Sequence, residues 1–534
     1  METVSEPDIE PAARAAAAVF AYHRRTAHRA DGYARGPETL DWDAQPDPWR
    51  IWRGCDRLDL PLVSDALDAP YAVLTGEASV APAPFGVPSV AALLELSFGL
   101  SAWKEAGPDR WALRCNPSSG NLHPTEAYVL ASGVPGLADG VHHYDSRGHA
   151  LEQRCAVDFA GGRFWIGLSS VLWREAWKYG ERAFRYCQLD IGHAVGALQA
   201  AAALLGWRVT VPGRLESSVI AGLIGTDRAG DFAGAEREEA ELLLAVDLAR
   251  PGDAAAQAPV PGPSAQWHGA ASLLDPHPMY RWPVIDEVAA ATRGLGTGEE
   301  LPLARPAPVL PPPPAAAVTT ILTRRSAQRY DRTYAMPLGS FARIIDAVRP
   351  QAGSGLHLIA FVHAVDGIER GIYAVPRPGA AGELERALDP GFAWAQVTGV
   401  PRAVPLRRLV TADCRKLVRA RTCHQAITAD GCVTFCLLSD FAPLVEPNPW
   451  AYRAQHWQAG LLGHRLYLEA QAAGLAGTGI GCFLDDEIHR LLGIRDERLR
   501  ALYHFTIGQA LFDARIATGP AYGERGRAEA PVWP

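Results

Sequence analysis

The sequence predicts a mixed helix-and-sheet fold, either α+β or layered α/β, that occurs twice along the chain. Three observations support this prediction. Helical patterns alternate with a few short strands, two glycine-marked segments repeat at one fixed offset, and a Pro/Ala-rich region separates them. A repeat of this length indicates two copies of a whole domain rather than a solenoid, whose period is shorter.

The repeat is carried by glycines in matching segments. The first copy reads IGHAVGALQAAAALLGW and LIGTDR, with Gly192, Gly206 and Gly225, and the second reads AGLLGHRLYLEAQAAGL and LLGIRD, with Gly460, Gly474 and Gly493. Each glycine lies 268 residues from its counterpart. Three matches in register within similar helical patterns favour a duplication over chance.

The first repeated segment predicts a long buried helix. Its apolar positions follow steps of three and four: Phe184, Cys187, Ile191, Ala194, Leu198, Ala202 and Leu205. Small residues lie beside this stripe, so we expect the helix to be central or packed against its copy. Strands are predicted at AYVLAS, GVHHYD and ELLLAVDL in the first half, and at LHLIAFVHAV, GIYAV and YHFTIGQAL in the second.

Three segments follow from the change in composition. We predict an N-terminal domain over 1–250, a linker over 251–318 and a C-terminal domain over 319–534. The runs PGDAAAQAPVPGPSAQ and LPLARPAPVLPPPPAAAV favour extended polyproline geometry, and WPVIDEVAAAT between them predicts one short helix.

Composition limits the classes of function. The chain has 534 residues, 48% of them hydrophobic, and a net charge of −8, which argues against a basic nucleic-acid footprint. No stretch of about 20 residues is apolar enough to span a bilayer, and METVSEPDIE lacks the layout of a secretory signal, so we expect a cytoplasmic protein. The nine cysteines contain no CxxC, which favours reduced thiols, and the histidines have no zinc-ligand spacing, so no metal site is expected.

Two motifs offer polar and cationic groups. RCNPSSGNLHPTEAYV, from Arg114, places Pro117, Ser118, Ser119 and Asn121 in a turn before a strand, where they could approach a planar ligand or form only a plain turn. ILTRRSAQRYD carries Arg324, Arg325, Ser326 and Gln328 directly after the linker. Guanidinium groups suit a phosphate, although a solvated helix start is equally consistent with this pattern.

Two further motifs offer backbone and base chemistry. GLAGTGIGCFLDDE alternates glycines around Gly479, Ile480 and Gly481, so backbone N–H groups could approach a ligand, and its Asp485 resembles a helix N-cap. It is neither GxGxxG nor a Walker A sequence. WKYGERAFRY places Lys178 and Tyr179 near Arg174 and Arg182, and neighbouring cations would lower the lysine pKa and favour a neutral amine. A surface lysine beside a packing tyrosine is the structural alternative.

Together these motifs resemble the nitroreductase superfamily, specifically tandem FMN-dependent dehydrogenases of the SagB/thiazoline-oxidase type. The resemblance covers most of residues 20–250 and 319–523, with several motifs in the expected order. It implies an α+β fold whose two halves form the family's dimer within one chain, an intrachain pseudo-dimer that could be monomeric overall. It also implies FMN bound between the halves.

The resemblance assigns a role to each motif. Arg324, Arg325, Ser326 and Gln328 match the phosphate segment, where a cation is usual at Gln328, and Arg515 lies near a C-terminal basic position. Gly479, Ile480 and Gly481 match the loop facing flavin N5 and O4. Arg114, Pro117, Ser118, Ser119 and Asn121 match the loop that covers the ring, and Lys178 and Tyr179 match the catalytic segment.

The halves have lost complementary parts of that pattern. At the 268-residue offset, Thr478 to Gly481 correspond to Thr210 to Gly213, where Pro212 has no N–H to donate. The second half lacks the Pro-Ser-Ser-Gly-Asn sequence. We therefore expect one composite FMN site per chain rather than two.

Three functions fit this resemblance. The first is a dehydrogenase acting on a thiazoline, oxazoline or related C–N or C–C unit of a peptide or small metabolite, with a biosynthetic enzyme as partner. The second is an NAD(P)H-dependent nitro or quinone reductase. The third is a non-catalytic flavin-binding scaffold of a biosynthetic complex. A base at Lys178 distinguishes the first from the second.

Overall fold

The computed structural model describes residues 11–159, 164–212, 215–248, 259, 265–296, 301–303, 307–523 and 525–526. Within them the α-helices, in chain order, are α1 Pro11–Arg25, α2 Val87–Ser97, α3 Leu172–Tyr179, α4 Ala183–Leu204, α5 Ser217–Ile224, α6 Pro283–Ala291, α7 Ala317–Thr323, α8 Leu338–Ala347, α9 Ala381–Ala387, α10 Arg415–Arg421, α11 Ile427–Asp430, α12 Phe441–Val445, α13 Ala451–Ala472 and α14 Asp485–Leu492.

The strands of the described residues are β1 Trp52–Arg53, β2 Asp56–Asp59, β3 Leu100–Ala106, β4 Asp109–Arg114, β5 Thr125–Ala131, β6 Gly140–Asp145, β7 Ala150–Ala156, β8 Phe164–Ser170, β9 Trp207–Thr210, β10 Leu215–Glu216, β11 Glu239–Leu248, β12 Gln266–Trp267, β13 Ala270–Ala271, β14 Leu295–Gly296, β15 Leu356–Val362, β16 Gly371–Val375, β17 Ala395–Gln396, β18 Arg407–Thr411, β19 Val433–Asp440, β20 Ala476–Ile480, β21 Leu499–Gly508 and β22 Ala517–Gly519.

Each half of the chain builds one large antiparallel sheet. The first has the order β12-β7-β6-β5-β8-β11-β9, with β2 also paired to β7, and the second has the order β17-β18-β16-β15-β19-β21-β20. The strand pairs within both sheets are antiparallel. The fold is therefore α+β, because a layered α/β fold would require parallel strands joined by crossover helices.

Several predicted elements form where their patterns place them. The helix expected from Phe184 is α4, and GVHHYD and GIYAV are β6 and β16. The strand predicted at YHFTIGQAL has different bounds in the structure, because β21 begins at Leu499 and ends at Gly508. Residues beyond Gly508 leave the sheet: Gln509 accepts a hydrogen bond from Asp331 N–H, and Leu511 N–H donates to the Arg329 carbonyl.

Helices α4 and α13 pack against each other at a very close crossing. A Cβ built on Gly192 would lie 2.8 Å from the Gly460 Cα and 2.2 Å from the Trp457 carbonyl oxygen. A Cβ on Gly460 would lie 2.1 Å from the Leu189 carbonyl oxygen. The crossing therefore requires glycine on both helices, at two positions that correspond in the sequence repeat. The sequence led us to expect a helix that is central or packed against its counterpart, and α4 packs against α13.

The two central helices are long and buried, but they are not uniformly apolar. α4 carries Arg185, Asp190 and His193, and α13 carries Arg453 and His464, all buried. Among the described residues, no helix combines the length and the apolar character that crossing a bilayer requires.

The C-terminal arm crosses to the first half. β22 adds to the hairpin β3–β4, with Ala517 opposite Glu105 and Gly519 opposite Trp103. Tyr522 follows and donates its hydroxyl to the Ser146 carbonyl at 2.8 Å. The boundaries 1–250 and 319–534 stay a prediction, and this arm shows that the two segments exchange structure.

The predicted linker contains short strands that pair with strands of the first half. β12, β13 and β14 pair with β7, β1 and β10, and α6 forms where WPVIDEVAAAT predicted a helix. Trp267 of β12 also packs against the first half, because its ring fills the space beside Gly225. The run 251–258 lies outside the described residues.

The expectation of nine reduced thiols was wrong for one pair of cysteines. Cys423 and Cys482 form a disulfide, and the other seven cysteines are free. The two lie 59 residues apart, but the fold brings their Cα atoms within 5.9 Å. Sequence spacing could not reveal this contact, because it depends on how the segment after α10 meets the end of β20.

We expect Gly192→Ala to destabilise the protein. The added Cβ meets backbone atoms of α13, which cannot rotate away, and overpacking of this kind costs typically about 1–3 kcal/mol. Gly339→Ala in α8 is the matched control, because nothing lies within 4 Å of its added Cβ. Thermal unfolding followed by circular dichroism should give a lower midpoint for Gly192→Ala alone. Equal midpoints for both variants would contradict the close-crossing interpretation.

Candidate functional site

A cavity of about 740 Å³ lies between the two halves of the chain. The first half contributes the loop before β5 and one face of α4, and the second contributes the segment after α7, the end of β20 and residues of the C-terminal arm. This volume lies within the range of small-molecule and cofactor sites. The cavity therefore depends on both halves.

One end of the cavity carries two arginines. Arg324 is buried, donates to the Arg114 carbonyl at 3.3 Å and lies with its guanidinium 4.8 Å from the Tyr467 ring centre. Arg325 donates to the Ser101 carbonyl at 3.0 Å. Burial lowers the pKa of both side chains, that of Arg325 to about 10.

This cationic end has no compensating carboxylate among the described residues. Among these residues no carboxylate acts on the charge of either arginine, and Arg324 Nε is buried without a hydrogen-bond partner. Buried charges are normally paired. An anion bound in the cavity would supply the missing partner, and guanidinium forks suit a phosphate.

The end of β20 presents backbone groups beside these arginines. The Gly477 carbonyl accepts from Ala327 N–H at 3.1 Å, and the Gly479 N–H donates to Tyr467 Oη at 3.0 Å. Tyr467 Oη also bonds Ser326 Oγ at 2.8 Å. Gly481 directly follows the last residue of β20, so its N–H is expected to continue the direction of the Gly479 N–H two residues earlier.

Gly481 is required because an aromatic side chain packs against it, and not because a ligand approaches its backbone. A Cβ built there would lie 2.0 Å from a Tyr186 ring carbon, and one on Gly479 would lie 1.7 Å from Tyr503 Oη. The glycines therefore let aromatic residues of the cavity wall approach β20.

The loop Pro117–Asn121 forms the opposite wall. Gly120 and Asn121 have φ values of 60° and 61°, and Asn121 Nδ2 donates to the Ala112 carbonyl at 3.0 Å. Left-handed conformation at a non-glycine residue is uncommon and is often found at functional sites. Helix α4 holds this tight turn in place through Asp190.

Asp190 of α4 supports this loop from below. Its carboxylate accepts from the Ser119 N–H at 3.0 Å and from Ser119 Oγ at 2.9 Å. Burial raises the pKa of Asp190 to about 7, although these hydrogen bonds act in the opposite direction. A single buried acid thus ties the loop to the central helix.

Lys178 and Tyr179 converge on the same loop. A Cβ on Gly120 would lie 2.6 Å from Tyr179 Oη and 3.2 Å from Lys178 Nζ. Burial lowers the pKa of Lys178, and burial raises that of Tyr179 well above its ordinary value. Lysine is therefore the candidate base, and the tyrosine stays a neutral hydroxyl.

The cause of the lysine shift differs from the sequence-based interpretation. Arg174 donates to the His123 carbonyl at 2.8 Å and is ion-paired with Glu126, while Arg182 pairs with Asp485 at 3.0 Å. Desolvation lowers the pKa of Lys178 instead, and the buried Glu175 opposes it.

Most of the predicted site residues line the cavity. They are Arg114, Pro117, Ser118, Ser119, Asn121, Tyr179, Arg324, Arg325, Ser326, Gln328, Gly479, Ile480 and Gly481. Lys178 lies behind Gly120. Arg515 does not join them: its side chain is 87% exposed and paired with Asp513 at 2.6 Å. Arg114 donates to the Pro48 and Thr125 carbonyls, so it braces the loop.

The residues of the wall that the sequence interpretation missed include Tyr186, Asp190, His193, Tyr467 and Tyr503. His193 Nε2 lies 2.9 Å from Tyr503 Oη, which joins α4 to β21 across the halves. The sequence did carry a signal for the residues on α4. Tyr186, Asp190 and His193 are spaced by four and three, so they share one face of an otherwise apolar helix.

Asp485 is an anchor between the halves rather than a helix cap. The N-cap residue of α14 is Leu484. The buried Asp485 carboxylate pairs with Arg182 at 3.0 Å and Arg185 at 2.8 Å, and it accepts the His28 N–H at 3.0 Å. The two arginines hold the pKa of Asp485 at about 2, against the opposing effect of burial.

The chain resembles known proteins in part of its sequence and in most of its fold. Residues 321–509 match the nitroreductase family. The structure superposes on an Anabaena variabilis protein provisionally described as a nitroreductase, with a TM-score of 0.67 and 21% identity, covering 92% of this chain and 99% of that one. The sequence similarity to that family thus lies in the C-terminal half, and the similarity to the solved structure extends to the fold of most of the chain. No curated protein matches the chain.

Two further solved structures overlap only part of the chain. A Ralstonia eutropha protein, also provisionally described as a nitroreductase, has a TM-score of 0.25 and 15% identity, covering 36% of this chain and 82% of its own. The E. coli microcin synthetase McbBCD complex with truncated pro-MccB17 bound has a TM-score of 0.26 and 16% identity, covering 32% of this chain and 65% of that one. Similarity this low does not bear on function.

We expect Asp190→Asn to change how stability depends on pH. Between the ordinary aspartate pKa and about 7, the folded protein keeps a proton on Asp190 that the unfolded chain has lost. The unfolded chain therefore binds fewer protons, and this group makes stability fall as pH rises through that window, by at most about 1.4 kcal/mol per pH unit.

The measurement is the free energy of unfolding, or the unfolding midpoint, from pH 4 to pH 7. The asparagine oxygen can still accept the Ser119 N–H, so the stability of the variant relative to wild type should increase as pH rises. Asp68→Asn, at an exposed aspartate, should run parallel to wild type. Parallel curves for Asp190→Asn as well would show that Asp190 is ionised throughout.

Proposed function

We propose that the protein is an FMN-dependent oxidoreductase, and specifically a dehydrogenase of azoline rings or related C–N or C–C units in a peptide or small metabolite. The observation that carries this proposal is the composition of the cavity. The buried Arg324 and the half-buried Arg325, without carboxylate partners among the described residues, lie at one end, and the Lys178–Tyr179 pair lies behind the loop on the other wall.

The residues present fit FMN. Arg324, Arg325 and Ser326 would hold the phosphate, and the unpartnered Arg324 Nε is the donor such an anion would satisfy. The Gly481 N–H, just beyond β20, would lie against the ring edge, and the Pro117–Asn121 loop would cover it. FMN, when bound, supplies a two-electron acceptor. Because these groups come from different halves, one FMN per pseudo-dimeric chain is expected.

The chain's own residues would handle the proton. Burial lowers the pKa of Lys178 and so favours the neutral amine, which can take a proton from the substrate carbon or nitrogen. The neutral Tyr179 hydroxyl can orient the same group by donating a hydrogen bond. A substrate delivered by a biosynthetic partner enzyme fits this chemistry, because azoline rings must be formed before they are oxidised.

We expect purified protein to release one FMN per chain, and Arg324→Ala to bind FMN more weakly. A hydrogen bond to a charged group contributes about 1.5–3 kcal/mol, so affinity should fall roughly tenfold to a hundredfold. Flavin fluorescence titration of apoprotein measures this change.

Arg515→Ala is the matched control, since its side chain is exposed and outside the cavity lining. Its affinity should equal that of wild type. Two FMN per chain would overturn the composite site, and wild-type affinity in Arg324→Ala would place the phosphate elsewhere.

We expect Lys178→Ala to slow substrate-driven flavin reduction about 10²–10⁴-fold, the usual effect of losing a general base. The variant should stay FMN-loaded, and its reduction by dithionite should be unchanged, because that reaction needs no base. Tyr179→Phe should give a smaller decrease, since it removes only a hydrogen-bond donor.

Stopped-flow absorbance with an azoline-containing peptide measures these rates. If Lys178→Ala reacts at the wild-type rate while NAD(P)H reduces both proteins rapidly, the nitro or quinone reductase function applies instead. If neither reductant acts and FMN is bound, the scaffold function applies.

A further inference from the structure

The Cys423–Cys482 disulfide stands apart from the other cysteines. Cys115, Cys155, Cys187, Cys414, Cys432 and Cys436 are buried thiols, and Cys55 is a half-buried one. A chain in which seven of nine cysteines stay reduced does not use disulfides as a general scaffold. Isolated disulfides of this kind in reducing compartments are usually catalytic or redox-sensing.

The disulfide borders the cavity. Cys482 directly follows Gly481 and is itself part of the cavity lining, together with Gln425 from the segment that carries Cys423. Gly481 belongs to the backbone segment assigned above to the ring edge of FMN. The sulfur pair thus adjoins the part of the cavity where two-electron chemistry is proposed.

The bond is not needed to hold its two segments together. Leu484 N–H donates to the Arg421 carbonyl at 2.7 Å, and Gln425 Nε2 donates to the Cys482 carbonyl at 3.1 Å. Arg421 also lies 3.6 Å from the Glu487 carboxylate. These contacts tie the segment after α10 to the end of β20 on both sides of the sulfurs, so the S–S bond can open while the segments stay adjacent.

A histidine lies beside both sulfur atoms. One imidazole nitrogen of His28 and the two Sγ atoms all lie within 4.8 Å of one another. His28 Nδ1 accepts the Ala34 N–H at 3.0 Å, so the neutral ring carries its proton on Nε2. Burial lowers the pKa of His28 to about 3, which keeps the ring neutral. A neutral ring carries no charge beside the sulfurs, and its Nε2–H is a hydrogen-bond donor.

We propose that Cys423 and Cys482 form a second redox centre that accepts two electrons from the reduced flavin. This inference rests on the proposed function, because it requires FMN in the cavity. The S–S bond breaks, the two electrons and two protons of the reduced flavin end on the sulfurs, and oxidised flavin and two thiols result. The dithiol is then reoxidised by thiol–disulfide exchange with a small or protein disulfide.

The decisive test uses full-length, FMN-loaded protein titrated anaerobically with dithionite. Wild type should take up two two-electron equivalents per FMN before the flavin is fully reduced, and the Cys423→Ser/Cys482→Ser variant should take up one. Cys55→Ser is the matched control, since it removes a thiol outside the cavity lining, and it should behave as wild type.

Alkylation followed by peptide mass spectrometry gives a readout that is independent of absorbance and of any variant. In wild type, both cysteines should be labelled after flavin reduction and neither before it. FMN-free protein given the same dithionite for the same time should remain unlabelled.

The outcomes separate this inference from the proposed function. Protein without bound FMN contradicts the proposed function itself. FMN-loaded protein that takes up one equivalent with the cysteines unlabelled overturns only the second redox centre. Equal labelling of FMN-free protein overturns it as well. Stoichiometric zinc that is lost in the double serine variant would make His28 and the two cysteines a metal site and would also overturn it.

Discussion

The close crossing of α4 and α13 is the constraint on which the rest of the structure depends. Gly192 and Gly460 let the helix backbones approach to a distance at which any side chain would meet main-chain atoms. α4 carries Asp190 and His193, and α13 carries Tyr467, so the crossing also fixes how far apart the two cavity walls lie. A methyl group at the crossing would therefore affect both stability and the site.

The halves depend on each other well beyond this crossing. The C-terminal arm supplies β22 to the sheet of β3 and β4. The Asp485 carboxylate of α14 forms ion pairs with Arg182 and Arg185 of the other half. Removing one member of such a buried ion network would leave an uncompensated charge, which is strongly destabilising. The cavity is consequently a property of the whole chain, although the family match covers only residues 321–509.

The electrostatics of the cavity are uneven in a way that suits an anionic cofactor and proton transfer. Arg324 is buried without a carboxylate, whereas Asp190 and Glu175 are buried acids whose pKa values burial raises. Positive charge thus stays concentrated at one end, and the acids near Lys178 and Tyr179 are held toward their neutral forms. Under the proposed function, this separation would let a phosphate and a base occupy one site without neutralising each other.

The sequence alone determined α4, α6, the strands β5, β6, β11, β15, β16 and most of β21, and the local motifs, because these follow from periodicity and residue type over short stretches. It also indicated that α4 is central or packed against its counterpart, since small residues lie beside its apolar stripe. Only the tertiary structure decided the contacts between distant segments. Cys423 meets Cys482, Asp485 binds arginines of the other half, Arg515 faces solvent, and desolvation rather than nearby cations acts on Lys178. Burial and long-range pairing depend on how the elements pack, and no local pattern encodes them.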